Sequence, residues 1–189
     1  MTQYNYSLPM FSRILVKLID EAIVPAIALF AAKVGSAVLL ARYYNIDFSV
    51  TSSGFVYSNR ADFVLINSYS TLVVVAAVGF GLLYNLTKAH LFHETHIEPS
   101  TTARLYSFRL SRFIQTSFDL YSQSVVWLSY SFLVLLATVA MFYFGFMYAW
   151  VLWVSVAVTF VAIYLFIIDV EREVIVGNTD SDFTKEVLQ

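Results

Sequence analysis

The sequence predicts an all-α integral membrane protein, a four-helix bundle with both termini on the cytoplasmic side. Three observations carry this. The stretch from Leu120 to Ile168 holds 49 residues without one Asp, Glu, Lys, Arg or His. As one helix it would be about 73 Å long at roughly 1.5 Å per residue, against a bilayer core of about 30 Å. It therefore reads as two spans folded into a hairpin. The chain is 59% hydrophobic and only 13% charged, about half the charged fraction of an ordinary soluble domain. Its mean hydropathy is +0.72 and aromatics make up 17%, more apolar surface than a soluble fold of this size can hide.

The first span is expected over about 22–41, interrupted by Lys33. Basic residues upstream and small residues downstream resemble a secretion signal. Asp20 and Glu21 directly before the apolar run are unusual for one, so the segment is expected to be retained. Residues 7–20 set Leu8, Met10, Phe11, Ile14, Leu15, Leu18 and Ile19 among polar residues and suggest an amphipathic lead-in on the inner membrane surface. The second span is expected over about 63–86, with no charge between Asp62 and Lys88. The third and fourth, about 122–144 and 148–168, turn near Gly145, where only glycine tolerates a tight turn at no steric cost. Lipid forbids unpaired backbone, so all four should be helices.

Between the first two spans, Ile46, Phe48 and Val50 alternate with polar residues and predict a short hairpin. The loop over 88–119 is longer. Pro99 and Ser100 look like a helix start, and a helix is expected from Thr102 to Ser117. On its wheel Arg104, Arg109 and Arg112 gather on one side, facing anionic lipid or a partner. The tail over 170–189 is acidic and is expected to lose order after Gly177.

Orientation follows from Lys and Arg. Arg13, Lys17, Lys88, Arg104, Arg109, Arg112, Arg172 and Lys185 fall on one side; Arg42 and Arg60 fall on the other. The positive-inside rule places the larger group in the cytoplasm, N-in and C-in, in a cell inner or plasma membrane. Tyr43, Tyr44, Tyr143, Tyr148 and Trp150 mark the outer interface, and Tyr84 and Tyr121 the inner one.

Reactive chemistry is sparse. With no cysteine, disulfides, thiolate metal sites and cysteine nucleophiles are excluded. No phosphate-binding glycine loop, nucleophile elbow or paired intramembrane carboxylate is present, and no cofactor or nucleic-acid partner is implied. His90, His93 and Glu94 are the candidate metal ligands, because imidazole and carboxylate three or four residues apart can meet one ion. With His96 their spacing resembles the histidine boxes of membrane di-iron hydroxylases and desaturases. Those families use several boxes, and this chain has 3 histidines in all.

Lys33 is a costly intramembrane charge, about 2.5 kcal/mol or more at a helix centre. Asp62 is its one plausible carboxylate, and Asn67 and Ser70 could accept its hydrogen bonds. Pro25 is expected to kink the helix and open a carbonyl for such a contact. Small residues recur every four positions in the first span, at Ala28, Ala32 and Ser36 and at Ala31 and Gly35. Ala77 and Gly81 do so in the second. These faces are expected to cross each other closely, or to meet another subunit. The third and fourth spans carry bulkier residues and look lipid-facing, with their Ser and Thr hydroxyls bonded back to their own helices.

The leading expectation is a non-enzymatic structural or accessory subunit packed against other membrane subunits or copies of itself. The alternative is a small oligomeric channel or transporter with Lys33 lining the path. A redox subunit holding metal or haem on His90 and His93 comes third.

Overall fold

The computed structural model describes residues 19–52, 54–92, 97–110, 114 and 117–187. The elements in chain order are a π-helical turn, Ile19–Ile23, then α1 (Val24–Tyr43), β1 (Phe48–Thr51), β2 (Gly54–Tyr57), α2 (Arg60–Phe92), α3 (Pro99–Ser107), α4 (Ser117–Tyr143) and α5 (Ala149–Val187). Four helical segments are long and apolar enough to cross a membrane: Ile19–Tyr43, Arg60–Lys88, Tyr121–Tyr143 and Ala149–Asp169. They pack as a membrane-spanning helical bundle.

α2 is the hub, touching α1, α4 and α5. Of its most apolar window 44% is buried, against 6% for the first span, so α1 leans on the bundle from outside. One apolar cluster joins Leu29 of α1, Val74, Val78 and Leu82 of α2, and Ala162 of α5, with Trp127 and Leu128 of α4 packed on it. A second lies at the hairpin end, where Ala37, Ala41 and Ile66 are covered by Phe48, Phe55 and Tyr57.

The expected hairpin is present. β1 and β2 pair antiparallel with Phe48 opposite Tyr57 and Thr51 opposite Gly54. The Tyr57 ring lies 6.0 Å from that of Phe63, and burial pushes its phenol above the ordinary value.

Three helices stop in the same way. Asn45, Arg109 and Gly145 have φ of 52°, 58° and 68°. In each case the following amide reaches back five residues: Ile46 to Ala41, Leu110 to Leu105 and Phe146 to Met141, all at 2.8 Å. This left-handed cap satisfies the last carbonyls of a helix, which is essential where water is scarce.

The connecting helix is shorter than the sequence suggests. It starts at Pro99 with Glu98, not Ser100, at the capping position. The Ser100 hydroxyl instead donates to the Glu98 carboxylate at 3.2 Å. The helix ends at Ser107 rather than Ser117, because Arg109 takes the left-handed conformation. Arg104 and Arg109 therefore do not share a helix face, and Arg112 lies outside the described residues. α5 is longer than expected and runs through Gly177 to Val187. One glycine inside a helix costs only about 1 kcal/mol, and no proline follows to stop it. The lead-in lies outside the described residues apart from its last two, Ile19 and Asp20.

Candidate functional site

The most polar point inside the bundle is built around Lys33. Leu29, Lys33, Ala37 and Ala41 recur every four residues, and this edge of α1 lies against α2. Four acceptors on one turn of α2 receive the ammonium. Lys33 Nζ donates to the Asn67 carbonyl at 3.0 Å and to Asn67 Oδ1 at 2.9 Å. It also donates to Ser70 Oγ at 2.9 Å and Thr71 Oγ1 at 2.6 Å. Both hydroxyls point their own protons at the Asn67 carbonyl, at 3.2 and 2.7 Å, which turns their lone pairs to the lysine. An ammonium has three protons, so four acceptors use its whole donor capacity. Hydrogen bonds to a charged group are worth about 1.5–3 kcal/mol each, enough to offset the cost of placing this charge in a span.

The same asparagine ties in the α4–α5 turn. Asn67 Nδ2 donates to the Phe146 carbonyl at 2.8 Å. Next to it, the Tyr148 amide donates to Ser68 Oγ at 3.0 Å. At the end of α2, Arg60 donates to the Phe144 and Gly145 carbonyls at 3.3 Å and stands 5.9 Å from the Phe146 ring centre. One polar chain thus runs from α1 through α2 into the α4–α5 turn.

No family model, curated protein or solved structure matches this chain.

Asp62 does not join Lys33. Its carboxylate accepts from Asn59 Nδ2 and its amide donates to Asn59 Oδ1, both at 2.7 Å. This reciprocal pair caps the start of α2. The backbone opened near Pro25 is likewise used elsewhere. Proline has no amide proton to give to the carbonyl four residues back, and the chain there makes the π-helical turn. The Tyr130 hydroxyl of α4 donates to the Ala22 carbonyl, and Glu21 accepts from Ser122 at 2.8 Å. These contacts fasten α1 to α4 at the end away from the hairpin.

The small-residue faces do not cross each other. Ala28, Ala31 and Gly35 are exposed, Ala32 and Ser36 half-buried. A Cβ added at Gly35 would meet nothing within 4 Å. At roughly 100° per residue this stripe lies about 180° from the Lys33 edge. Gly81 packs against the Trp127 ring of α4, and a Cβ added at Gly79 would lie 3.5 Å from Val158 Cγ1 of α5. Ala77 packs on the main apolar cluster.

The side chains of the metal candidates fall outside the described residues. His90 is in the helical backbone of α2 with its side chain undescribed, and His93, Glu94 and His96 lie outside the described residues. Among the described residues no group of three or more His, Asp or Glu could hold a metal ion. Arg104 and Arg109 are both exposed.

One seam escapes a reading based on bulk. Ser124, Ser131 and Thr138, spaced by seven, are buried on α4, and Val151, Ser155 and Thr159 are buried on α5. Ser131 and Thr159 hydrogen-bond across the seam at 2.8 Å. Thr138 and Thr159 also bond back to Leu135 and Ser155 of their own helices. The available signal is the seven-residue repeat of small hydroxyl residues, the period of a left-handed crossing.

Proposed function

We propose that this chain is a non-enzymatic structural or accessory subunit of a membrane complex, N-in and C-in, which offers the outer face of α1 to a neighbouring membrane protein. The observation that carries this reading is the open stripe Ala28, Ala31 and Gly35. Helix association in lipid is driven by close packing, and small residues let backbones approach. Here the residues best suited to that face away from the chain's own bundle.

Lys33 supports the same reading. A conducting or transporting lysine needs donor capacity left for its cargo. This one places four acceptors of a single helical turn around its ammonium and so joins α1 to α2. Arg104 and Arg109, exposed beside the membrane, suit anionic headgroups.

The test is the mass of the native assembly in mild detergent, with its co-purifying proteins identified. Foreign subunits in fixed ratio, lost in Gly35→Leu and Ala31→Leu, support the accessory role. A homo-oligomer alone, unchanged by those variants, removes it and directs attention to flux assays on Lys33→Ala.

A further inference from the structure

We propose that the groove between α2 and α5, on the Lys88 side, holds an acyl chain of a phospholipid whose headgroup carries a primary ammonium, received by Asp169. Two adjoining hollows, of about 330 and 480 Å³, share Leu83, Leu86 and Leu165 and form one groove. The first begins at Gly79, where the absent side chain leaves room beside Val158. The second ends at Thr87, Leu91 and Asp169.

Length and place identify the occupant. From Gly79 to Leu91 the groove runs about 18 Å along the helix axis, close to half of a 30 Å bilayer core. It therefore matches one leaflet. Its apolar part lies within the two spans, and its polar end falls where they stop, at Lys88 and Asp169. A chain entering from the lipid would have its headgroup at that level.

Charge chooses the headgroup. Asp169 has no hydrogen bond or ion pair among the described residues. The nearest basic residue along α2, Lys88, stands 6.0 Å from the Tyr84 ring centre. Thr87 donates its hydroxyl proton to the Leu83 carbonyl at 2.8 Å, so its oxygen offers lone pairs only. A carboxylate and an acceptor-only hydroxyl suit a group with several N–H donors. A trimethylammonium headgroup has none to give.

The full-length chain would be reconstituted into nanodiscs of equal parts phosphatidylethanolamine and phosphatidylcholine, released into mild detergent and weighed by native mass spectrometry. One retained lipid per chain is expected, with the ethanolamine lipid preferred roughly tenfold, the scale of one charge-assisted hydrogen bond. Asp169→Asn should abolish the preference while leaving a lipid bound. Gly79→Leu should lower retention of both lipids, and Ala157→Phe does the same at the groove rim if the glycine variant fails to fold. Equal retention of the two lipids by the wild type, or retention unchanged in both groove-filling variants, overturns the proposal. So does a protein partner occupying the groove, seen as bound foreign chain that the same variants displace.

Discussion

Lys33 and Asn67 meet across the α1–α2 interface, the ammonium nitrogen 2.9 Å from the amide oxygen, while the amide nitrogen holds the Phe146 carbonyl of the α4–α5 turn at 2.8 Å. The asparagine is therefore read in one orientation only: its oxygen must face the lysine and its nitrogen the turn. One side chain thus contributes to two packing events, α1 on α2 and the α4–α5 turn on α2.

Asn67→Ala should accordingly cost more than Lys33→Met. Removing the asparagine side chain takes one of four acceptors from the ammonium and leaves the Phe146 carbonyl without its donor, a loss of about 2.5–6 kcal/mol from one charge-assisted bond and one unpaired buried acceptor. Lys33→Met removes the charge itself and leaves neutral groups that still bond to one another, a loss of about 1–2 kcal/mol. Denaturant unfolding of both variants in detergent gives the order. Equal or reversed losses would mean that Lys33 is solvated by something other than this cluster.

The two glycines of the packing faces should respond oppositely to the same change. Gly35→Ala adds a methyl group into open space and improves helix propensity, so stability should rise by up to about 1 kcal/mol. Gly81→Ala forces its methyl group into the Trp127 ring, and overpacking of this kind costs about 1–3 kcal/mol. Melting temperatures of the isolated chain in detergent separate the two signs.

These glycines also show what a sequence can and cannot say about a bundle in lipid. The spans were readable because charge ends them: Asp62 and Lys88 bracket one, and Asp119 and Asp169 bracket the long pair. Two of the Lys33 partners, Asn67 and Ser70, were readable as polar groups at the right depth, whereas Thr71, which accepts at 2.6 Å, was not. Which side of α1 meets α2 was not. In a soluble helix the apolar stripe marks the buried side, but lipid accepts apolar residues all round, and the small stripe that invites packing turned out to face away from α2. The ending at Arg109 was equally hidden, since a left-handed residue that is not glycine leaves little mark.

The Ser131–Thr159 bond should be detectable but modest. Interhelical hydrogen bonds of this kind average about 0.6 kcal/mol and reach about 1.7. A double-mutant cycle with Ser131→Ala and Thr159→Val is expected to give a coupling in that range. Zero coupling would assign the α4–α5 seam to shape alone, with the hydroxyls satisfied by their own helices.

Asn85→Leu should stabilise the chain. Asn85 is 3% exposed and its amide nitrogen is the one buried side-chain polar atom without a hydrogen-bond partner among the described residues. Such a group carries a desolvation penalty of about 1–3 kcal/mol that an apolar side chain of similar size avoids. A higher melting temperature is the expected readout. A fall would reveal that the amide is bonded in the membrane, to water, lipid or another subunit.

Orientation can be tested cleanly because the chain has no cysteine. Ser52, beside the hairpin strand β1, and Ser107, at the end of α3, are both exposed and lie beyond opposite ends of the bundle. With Lys and Arg concentrated on the Ser107 side, the positive-inside rule places that side in the cytoplasm. A membrane-impermeant maleimide should label Ser52→Cys on intact cells and Ser107→Cys only after permeabilisation. The reverse pattern would invert the topology and place Arg104 and Arg109 outside. Labelling of both from one side would require an odd number of crossings fewer or more between them, and would break the assignment of Arg60–Lys88 as a span.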